Sequence, residues 1–436
     1  MAAALAAGEQ RKPNIIIFLA DDMGYGDSSI NGGWIKTPNM ERLAAEGLRF
    51  TDFHASGAVC SPTRAGLLTG RYQQRAGIPN VIYAPENSPT HFAGLNPDVE
   101  NTLSKMLKQA GYATALFGKW HLGYYSKYNP AHHGFDVFRG YVSGNVDYHA
   151  HRDNQNREDW WDGLQLSPEK GYTTTLITQH TVDFIKANAN GGKPFFIYVA
   201  QEAVHDPYQG PGDPPLRGAD GKKNKYPARP VKDIYRDMMT EMDKSLGVIL
   251  DTLRENGLAE NTIVFFFSDN GATREGSNAP LRGFKGEMWE GGHREPAVAW
   301  WPGRIKPGAV THELAISLDL MPTFLDIAGI PQPQTRKLDG VSLKNLLLEN
   351  KPLTAGGAPR KLYWNGLAMR EGPWKLVMQQ GRPFLYNLDE DLAEANDLSE
   401  ELPDRVSAMR ADLEAWKKDV ATGATPQPKN RAGLKD

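Results

Sequence analysis

The chain has 436 residues, enough for one large domain and a smaller one. Hydrophobic residues make up 40% and charged residues 23%, and 49 Lys plus Arg against 52 Asp plus Glu leave a formal net charge of -3. That balance argues against a nucleic-acid binder, which carries a basic excess, but leaves an anionic substrate open, because a local cluster of cations needs no basic chain. A single cysteine, Cys60, excludes an intrachain disulfide, and no apolar run reaches the ~18 residues of a membrane span.

Residues 1–12 are Ala-rich and short, with no basic region before them. They read either as the remnant of a truncated export signal or as a disordered start. Asn14–Asp22 is a continuous apolar run ending in two acids, which predicts a buried parallel strand. Pro38 to Phe50 has helical spacing, with Met40, Leu43, Ala44 and Leu48 on one face, Pro38 in the first turn and Thr37 as its cap. Tyr112–Phe117, Pro194–Ala200 and Thr262–Ser268 predict further buried strands, and Val231 to Asn256 a long helix stopped by Gly257. Strands alternating with helices imply an α/β fold: a large, mainly parallel sheet flanked by helices. Tyr124–Gly171 and Gln209–Pro230 read as long loops of the kind that carry function. After about Pro352 the texture changes to short strands (Lys361–Trp364, Trp374–Met378, Phe384–Asn387) and a helix, Pro403–Val420. The expected division is a catalytic domain over 13–351, a small antiparallel-sheet subdomain over 352–421 and a disordered tail over 422–436.

Two acid pairs end two of the predicted strands. Asp21 and Asp22 follow one, and Asp269 with Asn270 follows Thr262–Ser268. Open α/β sheets bind ligands at the carboxyl ends of their strands. Hard oxygen donors gathered there suit Ca²⁺ or Mg²⁺, although the same residue types also cap helices and turns. Cys60-Ser61-Pro62-Thr63-Arg64 puts the cysteine before a helix that Pro62 starts, so that free amides and the Arg64 guanidinium favour an anion beside it. A buried cysteine serving as a small hydrophobe is the plainer alternative. Gly118-Lys119-Trp120-His121 leaves a strand directly, which lets Lys119 and His121 project from the sheet edge.

The Cys-x-Pro-x-Arg motif, followed by Ala65-Gly66-Leu67-Leu68-Thr69-Gly70-Arg71-Tyr72, resembles the signature of the formylglycine-dependent sulfatases of the alkaline phosphatase-like superfamily. The likeness runs from about residue 12 to about residue 420. It implies that a maturation enzyme, the formylglycine-generating partner, oxidises Cys60 to 3-oxoalanine (formylglycine), and that the hydrated aldehyde is the nucleophile. It further implies one Ca²⁺ held by Asp21, Asp22, Asp269, Asn270 and residue 60. Lys119 and Lys285 resemble the sulfate-contacting lysines, and Arg64 joins them in neutralising charge. His121 resembles the histidine bonded to the formylglycine hydroxyl. His205, in Ala203-Val204-His205-Asp206-Pro207, resembles the general acid beside the leaving group. The family often has Gly where this chain has Phe284. His293 and Arg294 read as structural.

Overall texture resembles N-acetylgalactosamine-6-sulfatase-like enzymes and bacterial polysaccharide sulfatases, including carrageenan-type ones. That implies a sulfated galactose-containing saccharide as substrate, and a bacterial, periplasmic or secreted enzyme with no membrane span and no nucleic-acid partner. The loop Tyr141–Trp161 mixes polar donors with aromatics, as a sugar site would, and Asp147 and His149 are its candidate recognition residues. Two other readings stay open: a phosphonate or phosphate monoester hydrolase of the same superfamily, and a non-catalytic binder of sulfated glycans.

Overall fold

The computed structural model describes residues 11–220, 224–353 and 357–434. The expected disordered remnant over 1–12 therefore lies, apart from Arg11 and Lys12, outside the described residues. The large sheet comprises β1 (Asn14–Ala20), β2 (Leu48–His54), β3 (Ala113–Lys119), β4 (Val137–Tyr141), β5 (Trp161–Asp162), β6 (Gln165–Leu166), β7 (Phe195–Ala200), β8 (Thr262–Ser268), β9 (Arg294–Trp300), β10 (Ala309–Thr311) and β11 (Ala315–Ile316). Its order is β10-β2-β9-β8-β1-β7-β3-β4-β5-β6, with β11 also paired to β2.

The centre of the sheet, β8-β1-β7-β3-β4, is parallel, while β9 runs antiparallel to both β8 and β2. Alternate residues of β1 feed two apolar cores: Ile15, Ile17 and Leu19 on one face, Ile16, Phe18 and Ala20 on the other. This two-sided burial is why β1, β7 and β8 read as continuous apolar runs in the sequence. Helices α1 (Pro38–Glu46), α4 (Thr173–Asn188) and α5 (Val231–Glu255) supply apolar side chains to the second face. Helices α2 (Cys60–Thr69), α3 (Leu103–Gln109) and α7 (Leu320–Ile327) supply them to the first. The short α6 (Glu290–His293) leads straight into β9.

A second, four-stranded antiparallel sheet is made of β12 (Lys361–Trp364), β13 (Ala368–Glu371), β14 (Trp374–Gln379) and β15 (Arg382–Asn387). It follows α8 (Lys344–Glu349) and shares a third core with α9 (Pro403–Ala421) through Trp364, Met369, Leu376, Leu413 and Trp416.

Three expectations change. The helix expected to reach Phe50 stops at Glu46; Leu48 and Phe50 instead open β2, after the break at Gly47. The Thr37 side chain does not cap that helix, because its hydroxyl bonds Ser28 and Ser29. The free amides of Asn39 and Met40 donate to the Asp243 carboxylate of α5 at 2.9–3.1 Å. The tail is also tied down over residues 422–434. The Thr425 amide donates to the Arg75 carbonyl (2.9 Å), the Thr425 hydroxyl to Glu100 (2.5 Å) and the Gln427 amide to Ala76 (3.1 Å). Gly77, at φ 73, makes this close approach possible, since a Cβ there would lie 2.2 Å from the Thr425 carbonyl oxygen.

Asp243→Ala removes the only carboxylate on the α1 amides among the described residues. It is expected to lower stability by about 2 kcal/mol, read as an earlier urea midpoint with unchanged slope. An unmoved midpoint would mean that water satisfies those amides equally well.

Candidate active site

Parallel register brings four strand exits to one edge. Ala20 lies opposite Ser268, Leu19 opposite Ala200, and Gly118 opposite Ala200. The residues that follow or end these strands therefore converge: Asp21 and Asp22, Asp269 and Asn270, Lys119 with His121, and the turn that carries His205. Asp21, Asp22, Asp269 and Asn270 are all at most 1% exposed.

Three cations answer the three carboxylates. Arg64 donates to Asp269 Oδ2 from Nε (3.0 Å) and Nη2 (2.8 Å), and its Nη2 lies 3.4 Å from Asp21 Oδ2. Lys119 Nζ donates to Asp21 Oδ2 at 2.5 Å. Lys285 Nζ sits 2.7 Å from Asp22 Oδ1 and 2.9 Å from Oδ2. Asn270 Nδ2 donates to Asp22 Oδ1 (2.7 Å).

The balance of charge sets the protonation states. Burial works to raise the Asp21 carboxyl, but Lys119, His205 and Arg64 outweigh it and hold it well below the usual range. Asp269 is pushed up to about 6 by burial and by the Asp21 charge, against Arg64. Burial and Lys285 act to lower His205, yet Asp22 and Asp21 raise it to about 10. Its Nε2 lies 3.7 Å from Asp22 Oδ2, and its Nδ1 lies 2.6 Å from the Asp206 carbonyl oxygen. His121 goes the other way: burial and the Lys119 charge hold it well below its ordinary value.

Cys60 is the first residue of α2 rather than preceding a helix begun by Pro62. It is 2% exposed and lies at the amino end of the helix dipole. One ligand-type atom from each of Asp21, Asp22, Cys60 and His205 lies within 4.8 Å of the others. Asp21 Oδ1 and Asn270 Oδ1 are buried acceptors with no hydrogen-bond partner. Unsatisfied hard oxygens beside acid side chains are what a Ca²⁺ or Mg²⁺ would use, so the donor set fits such an ion.

A cavity of about 340 Å³ opens over Cys60, lined among others by Val59, Ile82, His121, His205 and Lys285. Its outer wall is held by the signature residues themselves: the Ile82 amide donates to Ser61 Oγ (3.1 Å), and His121 Nε2 meets the Ile82 carbonyl oxygen (2.9 Å).

Asp147 and His149 do not line this cavity. Asp147 is fully buried, and its carboxylate is saturated by backbone amides: Oδ1 accepts from His149 and Ala150, Oδ2 from Leu216 and Arg217. It ties two loops together. His149 reaches the Gly210 carbonyl oxygen at 3.2 Å and packs on Tyr172. The loop aromatics also turn inward, Tyr148 stacking on Tyr172 and Trp160 on His151. Asn145, Asn154 and Tyr124 line the cavity instead, and nothing in the sequence marked them above other polar or aromatic loop residues.

His293 and Arg294 belong to a buried ionic cluster between the two sheets. His293 Nδ1 is 3.0 Å from His54 Nδ1 and its ring stacks on Trp364. Arg294 pairs with Asp52 and Glu290.

A sequence profile described as Sulfatase matches residues 13–330. The chain is similar to N-acetylgalactosamine-6-sulfatase of Mus musculus, with 37% identity over 367 residues, covering 80% of this chain and 68% of that protein. Arylsulfatase G of Rattus norvegicus is 32% identical over a 481-residue alignment that covers 93% of this chain and 88% of the other. The solved structure of Ps i-CgsB in complex with k-i-k-neocarrahexaose superposes with a TM-score of 0.83 at 27% identity, covering 96% of this chain and 95% of that one.

Arg64→Met leaves Asp269 and Asp21 buried without their shared guanidinium. The expected cost is about 3–5 kcal/mol in equilibrium unfolding, with a smaller loss for Arg64→Lys. Equal stability of Arg64→Met and the parent would show that the cation does not hold these carboxylates.

Proposed function

The chain belongs to the sulfatase family and is a sulfuric ester hydrolase; on that premise we propose that it removes sulfate from a sulfated galactose-containing glycan, using a formylglycine derived from Cys60 and one Ca²⁺. The observation that carries the reading is the convergence of Cys60, His121, His205 and Lys285 on one cavity, backed by the Asp21, Asp22 and Asp269 carboxylates with Lys119 and Arg64. The glycan is supported by the names of similar proteins, one a sulfatase of N-acetylgalactosamine 6-sulfate and one bound to a neocarrahexaose.

Asp21, Asp22, Asp269 and Asn270 would hold the Ca²⁺, which supplies Lewis-acid neutralisation of ester oxygen charge. A hydrated aldehyde at residue 60 would supply one hydroxyl as nucleophile and a second whose loss of a proton lets the carbon–oxygen bond to sulfate break as the aldehyde reforms, and a thiol lacks that second group. The other roles belong to the side chains already present. Lys285 on the cavity wall, with Lys119 and Arg64 buried behind it, supplies preorganised positive charge to offset an anionic ester. His205, which lines the cavity with its Nε2 3.7 Å from Asp22 Oδ2, suits proton donation to the departing sugar oxygen. A neutral His121 gives its Nε2–H to the Ile82 carbonyl and keeps a lone pair on Nδ1, a buried atom with no partner, which suits it to accept a hydrogen bond from a hydroxyl at residue 60. Asn145 and Asn154 replace Asp147 and His149 as the candidate hydrogen-bond partners of the sugar. A maturation enzyme is the required partner of this chemistry, and a periplasmic or secreted location suits a polymeric glycan. Among the described residues no helix is long and apolar enough to cross a membrane.

Rates on a matched aryl sulfate and aryl phosphonate test the reaction class. Matured enzyme is expected to prefer the sulfate, and a clear phosphonate preference would overturn the assignment. His205→Ala is expected to slow a sugar sulfate at least about 10²-fold, and far more than an aryl sulfate with a good leaving group; equal losses on both would remove its role as general acid. Chelated protein is expected to gain melting temperature on addition of Ca²⁺, and Asn270→Ala to need a higher Ca²⁺ concentration for the same gain. No Ca²⁺-dependent shift in the parent would count against the metal.

A further inference from the structure

The cavity over Cys60 does not stand alone. It shares Val59, Val81 and Tyr83 with a second cavity of about 390 Å³. The second shares Pro79, Asn80, Pro89, Thr90 and Asn365 with a third of about 670 Å³, which reaches Trp416 and Lys417 on α9 and Lys429 in the tail. Their shared lining residues set them side by side, a row that would make one groove. Segment 77–93 contributes to all three cavities, and Ile82, pinned between Ser61 and His121, fixes its inner end at the reaction centre.

One sulfated ring does not need this space. The first cavity by itself lies within the ~300–1,000 Å³ of ordinary ligand pockets. The far cavity has the chemistry of a saccharide site. Ile78, Pro79, Trp416 and Val420 give it apolar surface for sugar C–H faces. Among that surface, Trp416 Nε1 and both amide atoms of Gln74 are buried without a hydrogen-bond partner. These atoms are sealed beneath the lining, so the polar groups open to the cavity come from the exposed Asn80 and Asn365. Lys417 and Lys429 line the far cavity, Lys417 with its Nζ paired to Glu414 Oε1 at 2.7 Å. Lys417 is positioned by the β12–β13 turn: its Cε lies 2.7 Å from where a Cβ on Gly366 would stand. Lys429 makes no ion pair among the described residues.

We propose that this groove binds the glycan chain attached to the ring under attack, with Lys417 and Lys429 contacting a further anionic substituent along it. The occupant is thus the substrate itself, continued on one flank of the sulfate ester, and the inference rests on the sulfatase reading. The tail expected to be disordered becomes part of the binding surface. Where contacts this far from sulfur act equally on ground and transition states, they lower KM and leave kcat alone.

The test uses matured full-length enzyme with an aryl sulfate and a ladder of sulfated galactan oligosaccharides from disaccharide to octasaccharide. KM is expected to fall with chain length until the groove is filled, at constant kcat. In a Lys417→Glu, Lys429→Glu variant, the ratio of kcat/KM on the longest oligosaccharide to that on the aryl sulfate is expected to fall about ten-fold. A flat length profile, or an unchanged ratio in the variant, would overturn the groove while sulfate release still upholds the sulfatase reading. If no substrate releases sulfate, that reading fails, and calorimetric binding of the same ladder to Cys60→Ala protein decides the groove separately: affinity that grows with length, and loses that growth in the charge-reversed variant, sustains it, whereas length-independent affinity rejects it.

Discussion

Three carboxylates buried side by side are the constraint on which the rest of the site depends. Asp21, Asp22 and Asp269 are withdrawn from solvent at neighbouring strand ends. Like charges at such distances cannot all stay ionised without help, and the rise of Asp269 to about 6, driven by burial and Asp21, records the tension. Arg64, Lys119 and Lys285 supply the opposing charge, one from the signature helix, one from a strand exit and one from a distant loop. Each therefore does two jobs. It makes the carboxylates tolerable in the interior, and it adds positive charge at or behind the cavity over Cys60, which Lys285 lines directly. A divalent cation added to this balance leaves the site net positive, which is the polarity that a sulfate ester requires.

The sheet makes that constellation possible. Parallel pairing of β8, β1, β7 and β3 lets residues far apart in the sequence leave the sheet at one edge. Because β9 runs antiparallel to β8, its amino end enters at the same edge, and α6 brings Glu290 and His293 to the seam between the two sheets. There Lys375 of β14 meets Glu290 at 2.9 Å and Glu394 at 3.0 Å, so the small sheet is locked to the large one by buried ion pairs as well as by apolar packing. The C-terminal helix and tail line the far cavity through Trp416, Lys417 and Lys429.

How much of this is legible in the sequence depends on how local the cause is. Thr262–Ser268 is read with its correct bounds because both faces are buried and the apolar run has no gap. Cys60, Arg64 and the two acid pairs are legible because fixed offsets and strand ends carry the signal. Leu48 and Phe50 mislead, since they keep helical spacing with Met40 and Leu43 although Gly47 separates helix from strand. The cap on α1 comes from Asp243, about two hundred residues away, and no local pattern announces it. Asp147 stays away from the cavity for the same reason: the amides of Leu216 and Arg217 that occupy its carboxylate belong to another loop. The α4 helix opens on three threonines, poor helix formers, and is held by packing on α5 and the sheet.

The central claim is that Cys60, once oxidised, is the reaction centre. The most direct measurement is a mass spectrum of the peptide containing Cys60, taken on protein made with and without a formylglycine-generating enzyme, alongside sulfate release by the same samples. The account predicts that activity rises in proportion to the fraction of aldehyde at residue 60 and is absent from Cys60→Ala. Full turnover by protein carrying only the thiol, or by Cys60→Ala, would contradict it.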